Sequence, residues 1–129
     1  MDGDEKRPKK LPPSLRTKRR YIVFEIISEH PMEYSDFVNA VWASLLNFLG
    51  EATTSDARIW IIQNLYDLKN HRGVIRCKHD SVEQVRAALT LIQMVGETKA
   101  VIKILGVTGT IKSAKGKYLG FRDLRDFSE

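Results

Sequence analysis

The stretch Arg20-Tyr-Ile-Val-Phe-Glu-Ile-Ile-Ser28 decides the fold. Nearly every position is β-branched or aromatic, and both alternating sets contain apolar residues: Ile22, Phe24 and Ile26 in one, Tyr21, Val23 and Ile27 in the other. A strand with two apolar faces is covered on both sides and belongs in the middle of a sheet. Glu25 shares the second set, so that face is expected to be covered only in part.

Outward from this strand, residues 29–33 with Pro31 read as a turn. Ser35 is the expected N-cap of a helix reaching residue 49, with Asp36 in the first turn and Gly50 as its stop. Phe37, Val41, Leu45 and Phe48 form one apolar stripe, and Val38, Trp42, Leu46 and Leu49 form a second beside it. Together they cover more of the helix than a sheet beneath it requires. The remaining face (Asn39, Ala40, Ala43, Ser44, Asn47) has no charge, so a second contact is expected there, with the C-terminal tail or another protein. Residues 51–56 read as a loop, 58–65 as a second strand, 66–72 as a hairpin connection and 73–78 as a third strand. Asp80 or Ser81 caps a second helix, with Glu83 or Gln84 at capping-box spacing, Val82, Val85, Leu89 and Ile92 inward, and Gly96 as its end. Residues 99–107 read as a fourth strand. The order β-α-β-β-α-β predicts an α+β fold, ferredoxin-like or RRM-like, with a four-stranded antiparallel sheet backed by helices.

Charge is unevenly placed. The chain of 129 residues has a formal net charge of +5. Residues 1–20 hold eight Lys/Arg and three Asp/Glu, whereas the other 109 residues hold 13 of each. Residues 112–129 are again basic, leaving a slightly acidic body with cationic ends, a layout that favours a polyanion. The expected organisation is a basic flexible arm over residues 1–18, a core domain over 19–110, and a basic, amphipathic segment over 111–129. In that last segment Tyr118, Phe121 and Phe127 are expected to pack back on the body. Cys77 is the only cysteine, so no internal disulfide forms. The charged N-terminus has no apolar run of a signal peptide, and the longest uncharged stretch, residues 37–50, is too short to span a bilayer. A reducing, cytoplasmic setting is expected.

If the helices cover Ile22, Phe24, Ile26, Ile75 and Cys77, the opposite sheet face shows Tyr21, Val23, Glu25, Val74, Arg76, Lys78 and Lys103. Arg72-Gly73 matches the start of the RNA-stacking motif of RRM domains, but Val74 and Arg76 stand where that motif has rings. Base stacking of the usual kind is therefore not expected, and a protein-covered or phosphate-contacting face fits better. The run Arg16, Lys18, Arg19, Arg20 reads either as a phosphate contact or as a solubilising tail. Gly106-Val-Thr-Gly-Thr-Ile-Lys112, followed by Lys115 and Lys117, has no P-loop spacing; its glycines make a turn or allow a phosphate to approach. His30, His71 and His79 lie in turns, and Cys77 with His79 cannot complete a zinc site. With no Ser/His/Asp grouping or two-metal carboxylate cluster, catalysis by the isolated chain is not expected.

Three ordered blocks together resemble one family. Leu11-Pro-Pro-Ser-Leu-Arg16 with Lys18-Arg-Arg-Tyr-Ile-Val-Phe-Glu-Ile-Ile-Ser28 resembles the opening of protein component 2 of archaeal ribonuclease P, the counterpart of the small eukaryal processing-of-precursor subunit. Gly73-Val-Ile-Arg-Cys77 leading to Val85-Arg-Ala-Ala-Leu-Thr-Leu-Ile92 resembles its middle, and Leu105-Gly-Val-Thr-Gly-Thr-Ile-Lys112 its end. The likeness spans about residues 11–120. It implies a ribonucleoprotein endonuclease that removes the 5′ leader of precursor tRNA, with the chemistry and its Mg2+ in the RNA and no cofactor bound by the protein. It also implies ribonuclease P RNA, a TIM-barrel-like protein subunit and other protein subunits as partners. Arg16, Lys18, Arg19, Arg20, Lys112, Lys115 and Lys117, with Arg76 and Lys78 from the sheet face, become RNA-contact candidates. Val38, Trp42, Leu46 and Leu49 become partner-contact candidates. The rivals are an acylphosphatase-like enzyme, for which the required Arg in a Gly-rich phosphate loop beside an Asn is not found, and a protein-interaction or small-molecule regulatory module without RNA binding.

Overall fold

The computed structural model describes residues 18–119. The basic arm, including Arg16 but not Lys18, lies outside the described residues, as do Phe121 and Phe127. The chain runs β1 (Arg19–Ser28), α1 (Tyr34–Asp56), β2 (Trp60–Ile61), β3 (Arg72–Lys78), α2 (Val82–Thr90), β4 (Met94–Val95), β5 (Thr98–Thr108) and α3 (Ile111–Ala114), the last continued by a π turn over Lys115–Leu119. The antiparallel sheet has the order β2-β3-β1-β5-β4, so β1 is central, as its two apolar faces require.

Ile22, Phe24, Ile26, Ile75 and Cys77 face α1 and α2 and form the main core with Phe37, Val41, Leu45, Val85 and Leu89. Phe24 stacks on Phe37, with ring centroids 4.9 Å apart. Each of these large side chains contributes roughly 1.5–3 kcal/mol by leaving water. The uncharged face of α1 meets α2, where the Ser44 hydroxyl donates to the Ala88 carbonyl at 2.6 Å. The second helix thus takes part of that face, at Ala40 and Ser44, while Asn39, Ala43 and Asn47 remain exposed.

Several boundaries differ from the sequence expectation. There are five strands, not four: α2 stops at Thr90, and Met94–Val95 turns about Gly96 (φ 61) to pair with β5. Gly96 is therefore a hairpin residue and not a helix stop. The expected second strand is paired only at Trp60–Ile61, after which Gln63–Leu65 forms a 3-10 turn. Helix α1 starts two residues early, with Glu33 at the N-cap position and no side-chain cap, so Ser35 does not cap it. Gly50 (φ 83, ψ 170) breaks the helix as expected, but residues 51–56 resume it instead of forming a loop. The Thr54 hydroxyl donates to the Leu45 carbonyl at 3.1 Å and clamps the second half against the first. Ser81 stands at the N-cap of α2 without a capping hydrogen bond.

The other sheet face is not open along its whole length. Val23 and Val74 are buried with Ile62, Leu65 and Ala114, and Tyr21, Leu105, Tyr118 and Leu119 pack around them. Residues 111–119 lie over this second core, as Tyr118 was expected to do. Arg72 Nη1 donates to the Tyr118 carbonyl at 2.7 Å and holds the lid down.

Candidate nucleic-acid interface

At one end of that second face the cover stops. Cross-strand register places Thr108, Tyr21, Arg76 and Trp60 in one row over four strands. Two rows on, and so on the same face, Arg19 pairs with Lys78. The Lys78 N–H donates to the Ala57 carbonyl at 2.9 Å, which pins the α1–β2 turn to β3 and brings Arg58 alongside. Arg58 holds a left-handed backbone (φ 56), uncommon for a non-glycine residue. The resulting groove, with a volume of about 380 Å³, is lined by Arg19, Arg58, Ile59, Trp60, Arg76 and Lys78.

Its charges are not equivalent. Lys78 Nζ lies 3.0 Å from Asp56 Oδ2 and 3.9 Å from Asp80 Oδ1, so its charge is largely balanced. Arg19, Arg58 and Arg76 have no carboxylate partner among the described residues. The Arg76 guanidinium carbon sits 4.2 Å from the Trp60 ring centroid, and Arg76 Nε is buried with no hydrogen-bond partner. Trp60 is 53% exposed.

The nine residues expected to contact RNA are therefore sorted by the fold. Arg19, Arg76 and Lys78 converge on the groove. Lys18 is exposed just before β1, and its carbonyl accepts from the His79 N–H. Arg20 pairs with Cys77 and so belongs to the helix-facing side of the sheet. Lys112 and Lys117 are exposed on the C-terminal segment, whereas Lys115 is only 7% exposed and is packed into that segment. Arg16 lies outside the described residues. Trp60 and Arg58 were missed. Trp60 answers the absence of rings at the usual stacking positions by supplying one from the neighbouring edge strand. The alternation Arg58, Trp60, Ile62 could have put all three on one face, but only register ties that face to Arg76.

Of the four partner-contact candidates, Leu46 is exposed, while Val38, Trp42 and Leu49 are half-buried against the main core. Cys77 is buried on the helix side; burial, then Asp80, pushes its thiol up to about 11, which leaves no thiolate at neutral pH. Among the described residues no group of three or more His, Cys, Asp or Glu could hold a metal ion, and no helix is long and apolar enough to cross a membrane.

Fold and site define an α+β protein whose helices cover one sheet face and that leaves guanidinium groups and an indole at an open end of the other. The family model described as Rpp14/Pop5 matches residues 20–119. Ribonuclease P protein component 2 of Pyrococcus furiosus is 44% identical over 113 residues, covering 88% of this chain and 92% of that one. Its namesake from Methanosarcina mazei is 42% identical over 111 residues, covering 86% and 92%. In a cryo-EM structure of yeast ribonuclease MRP, one chain shares the fold with a TM-score of 0.56 at 13% identity, over 79% of each chain. The chain belongs to the Rpp14/Pop5 family.

Proposed function

We propose that this chain is a protein subunit of ribonuclease P that binds and stabilises the RNA which removes the 5′ leader of precursor tRNA. The observation that carries the reading is the convergence of Arg19, Arg58 and Arg76, without carboxylate partners among the described residues, on one groove of a body that is otherwise near neutral. Guanidinium groups are weakly hydrated and match phosphate geometry, so such a cluster favours an RNA backbone over a neutral ligand. The relatives named ribonuclease P protein component 2 supply the enzyme. The chemistry and its Mg2+ belong to the RNA; this chain lowers the repulsion between phosphates that fold against one another. A TIM-barrel-like subunit is the further partner, seated on α1 about Leu46, with Val38, Trp42 and Leu49 at the margin of that contact. The cytoplasm is the compartment that goes with this role. We also read the strands in the order β2-β3-β1-β5 as a ferredoxin-like core, with β4 as an added edge.

Reconstitution tests this. Precursor tRNA cleavage by the RNA and the remaining protein subunits is measured with and without this chain across a Mg2+ titration. The chain is expected to lower the Mg2+ concentration needed for half-maximal cleavage. An unchanged requirement defeats the reading.

A further inference from the structure

We infer that the groove at Trp60 takes a single unpaired nucleotide of the RNA, its base stacked on the free face of the indole and its phosphates against Arg19 and Arg58. The inference rests on the RNA-binding reading above and specifies what that site recognises.

Trp60 stands outside the packed core. It belongs to neither hydrophobic cluster, and half of its surface faces water on a two-residue edge strand. One face of its ring is occupied by the Arg76 guanidinium. Arg76 is itself set between strands, opposite Tyr21 on β1 and Trp60 on β2, with its Nε out of contact with water. The cation thus pins the indole in place, and a ligand meeting the other face finds a ring with little rotamer freedom left to lose. Tryptophan and arginine also mark protein–protein contacts. Here the three guanidinium groups, without carboxylate partners among the described residues, favour a ligand that carries its own negative charges next to a flat apolar ring. A nucleotide has both parts. The groove volume of about 380 Å³ is at the small end of ligand clefts, which suits one nucleotide better than a stack of several.

The same argument discriminates among RNA structures. A paired A-form segment offers phosphates and 2′-hydroxyls, but its bases are stacked inside and cannot reach the indole. A bulged or looped nucleotide can place its base on the ring while the flanking phosphates reach the arginines. Because β2 is the outermost strand on its side of the sheet, no further strand among the described residues blocks that approach.

The test uses the full chain carrying Trp42→Phe, so that Trp60 is the sole indole. Two short RNA hairpins of equal charge are titrated at low salt, one with a single bulged adenosine and one fully paired. The bulged hairpin is expected to quench Trp60 fluorescence and the paired one to leave it nearly unchanged. Trp60→Ala should weaken the bulged complex by about 5- to 150-fold, the range for losing one stacked base, and Trp60→Phe should recover most of it. The paired hairpin should bind Trp60→Ala as before, and a near-wild-type melting temperature of that variant shows that its fold is intact. Equal salt-dependent binding of both hairpins, unaffected by Trp60→Ala, overturns the inference and leaves RNA binding standing. No binding of either hairpin defeats both. Normal binding by Trp60→Ala, with failed assembly alongside the other protein subunits, assigns the indole to a protein contact and also overturns it.

Discussion

A Cβ placed on Gly73 would meet the Phe24 ring, 2.5 Å from Cζ, and that ring is already fixed by Phe37 behind it. Gly73→Ala should therefore destabilise the fold by roughly 1–3 kcal/mol through overpacking, read as a lower Tm in calorimetry. Phe24→Leu in the same chain should recover part of the loss. Cys77, two strand positions from Ile75 on the same core face, gives a pH signature. Its thiol moves from 9.0 to about 11 on folding because burial, and then Asp80, disfavour the thiolate. The sign follows from linkage: the unfolded chain loses the proton first, so the contribution is whole below pH 9 and is lost as pH rises through about 11. Its ceiling is about 2–3 kcal/mol. Urea midpoints should fall between pH 8.5 and 11, and Cys77→Ala should show a shallower fall than the parent over that window. Tyr66, pushed up to about 12 by burial and by Glu33 and Asp36, extends the decline to higher pH in both proteins.

Among elements, α1 depends on one unusual residue. Gly50 occupies a backbone region open only to glycine, and nothing lies within 4 Å of where its Cβ would stand. Gly50→Ala thus meets no clash and isolates the backbone strain, with an expected cost of roughly 1–3 kcal/mol in urea unfolding. If the helix straightens instead, Asp56 swings away from Lys78 and Thr54 from Leu45. The central strand and both helices were legible because their apolar periods run for several turns or pleats. Gly50 was legible as a stop, but the resumption of helix beyond it was not, since residues 51–56 have no apolar stripe long enough to declare itself. The hairpin at Gly96 was hidden because Leu91-Ile-Gln-Met-Val95 is a short apolar run that fits a helix end as well as a strand. The covering of Val23 and Val74 was half legible. Two apolar faces on β1 demanded a cover, yet its identity rests on Tyr118 closing over Gly106, a contact between segments that no local pattern announces. Trp60 escaped for a related reason: its partner Arg76 lies across a turn and a hairpin loop too long to fix the register from sequence.

For the molecule as a whole, the question is whether RNA is attracted by total charge or by the placement of a few groups. The net charge of +5 would by itself give some salt-dependent affinity for any polyanion. Each phosphate neutralised at a defined position adds about 0.7–0.9 to the slope of log affinity against log salt, whereas a diffuse field does not depend on which cation is removed. Two variants of equal charge separate these cases. One changes Arg19, Arg58 and Arg76 to Gln; the other changes Lys69, Lys99 and Lys103, all exposed and outside the groove, to Gln. Filter-binding titrations of the ribonuclease P RNA from low to moderate salt should show a slope smaller by about 1.4–1.8 for the groove variant, from the phosphates at Arg19 and Arg58, and by less than one for the lysine variant. Equal losses in the two would mean that the arginines act only through net charge. The groove would then be a consequence of sheet packing and not a site.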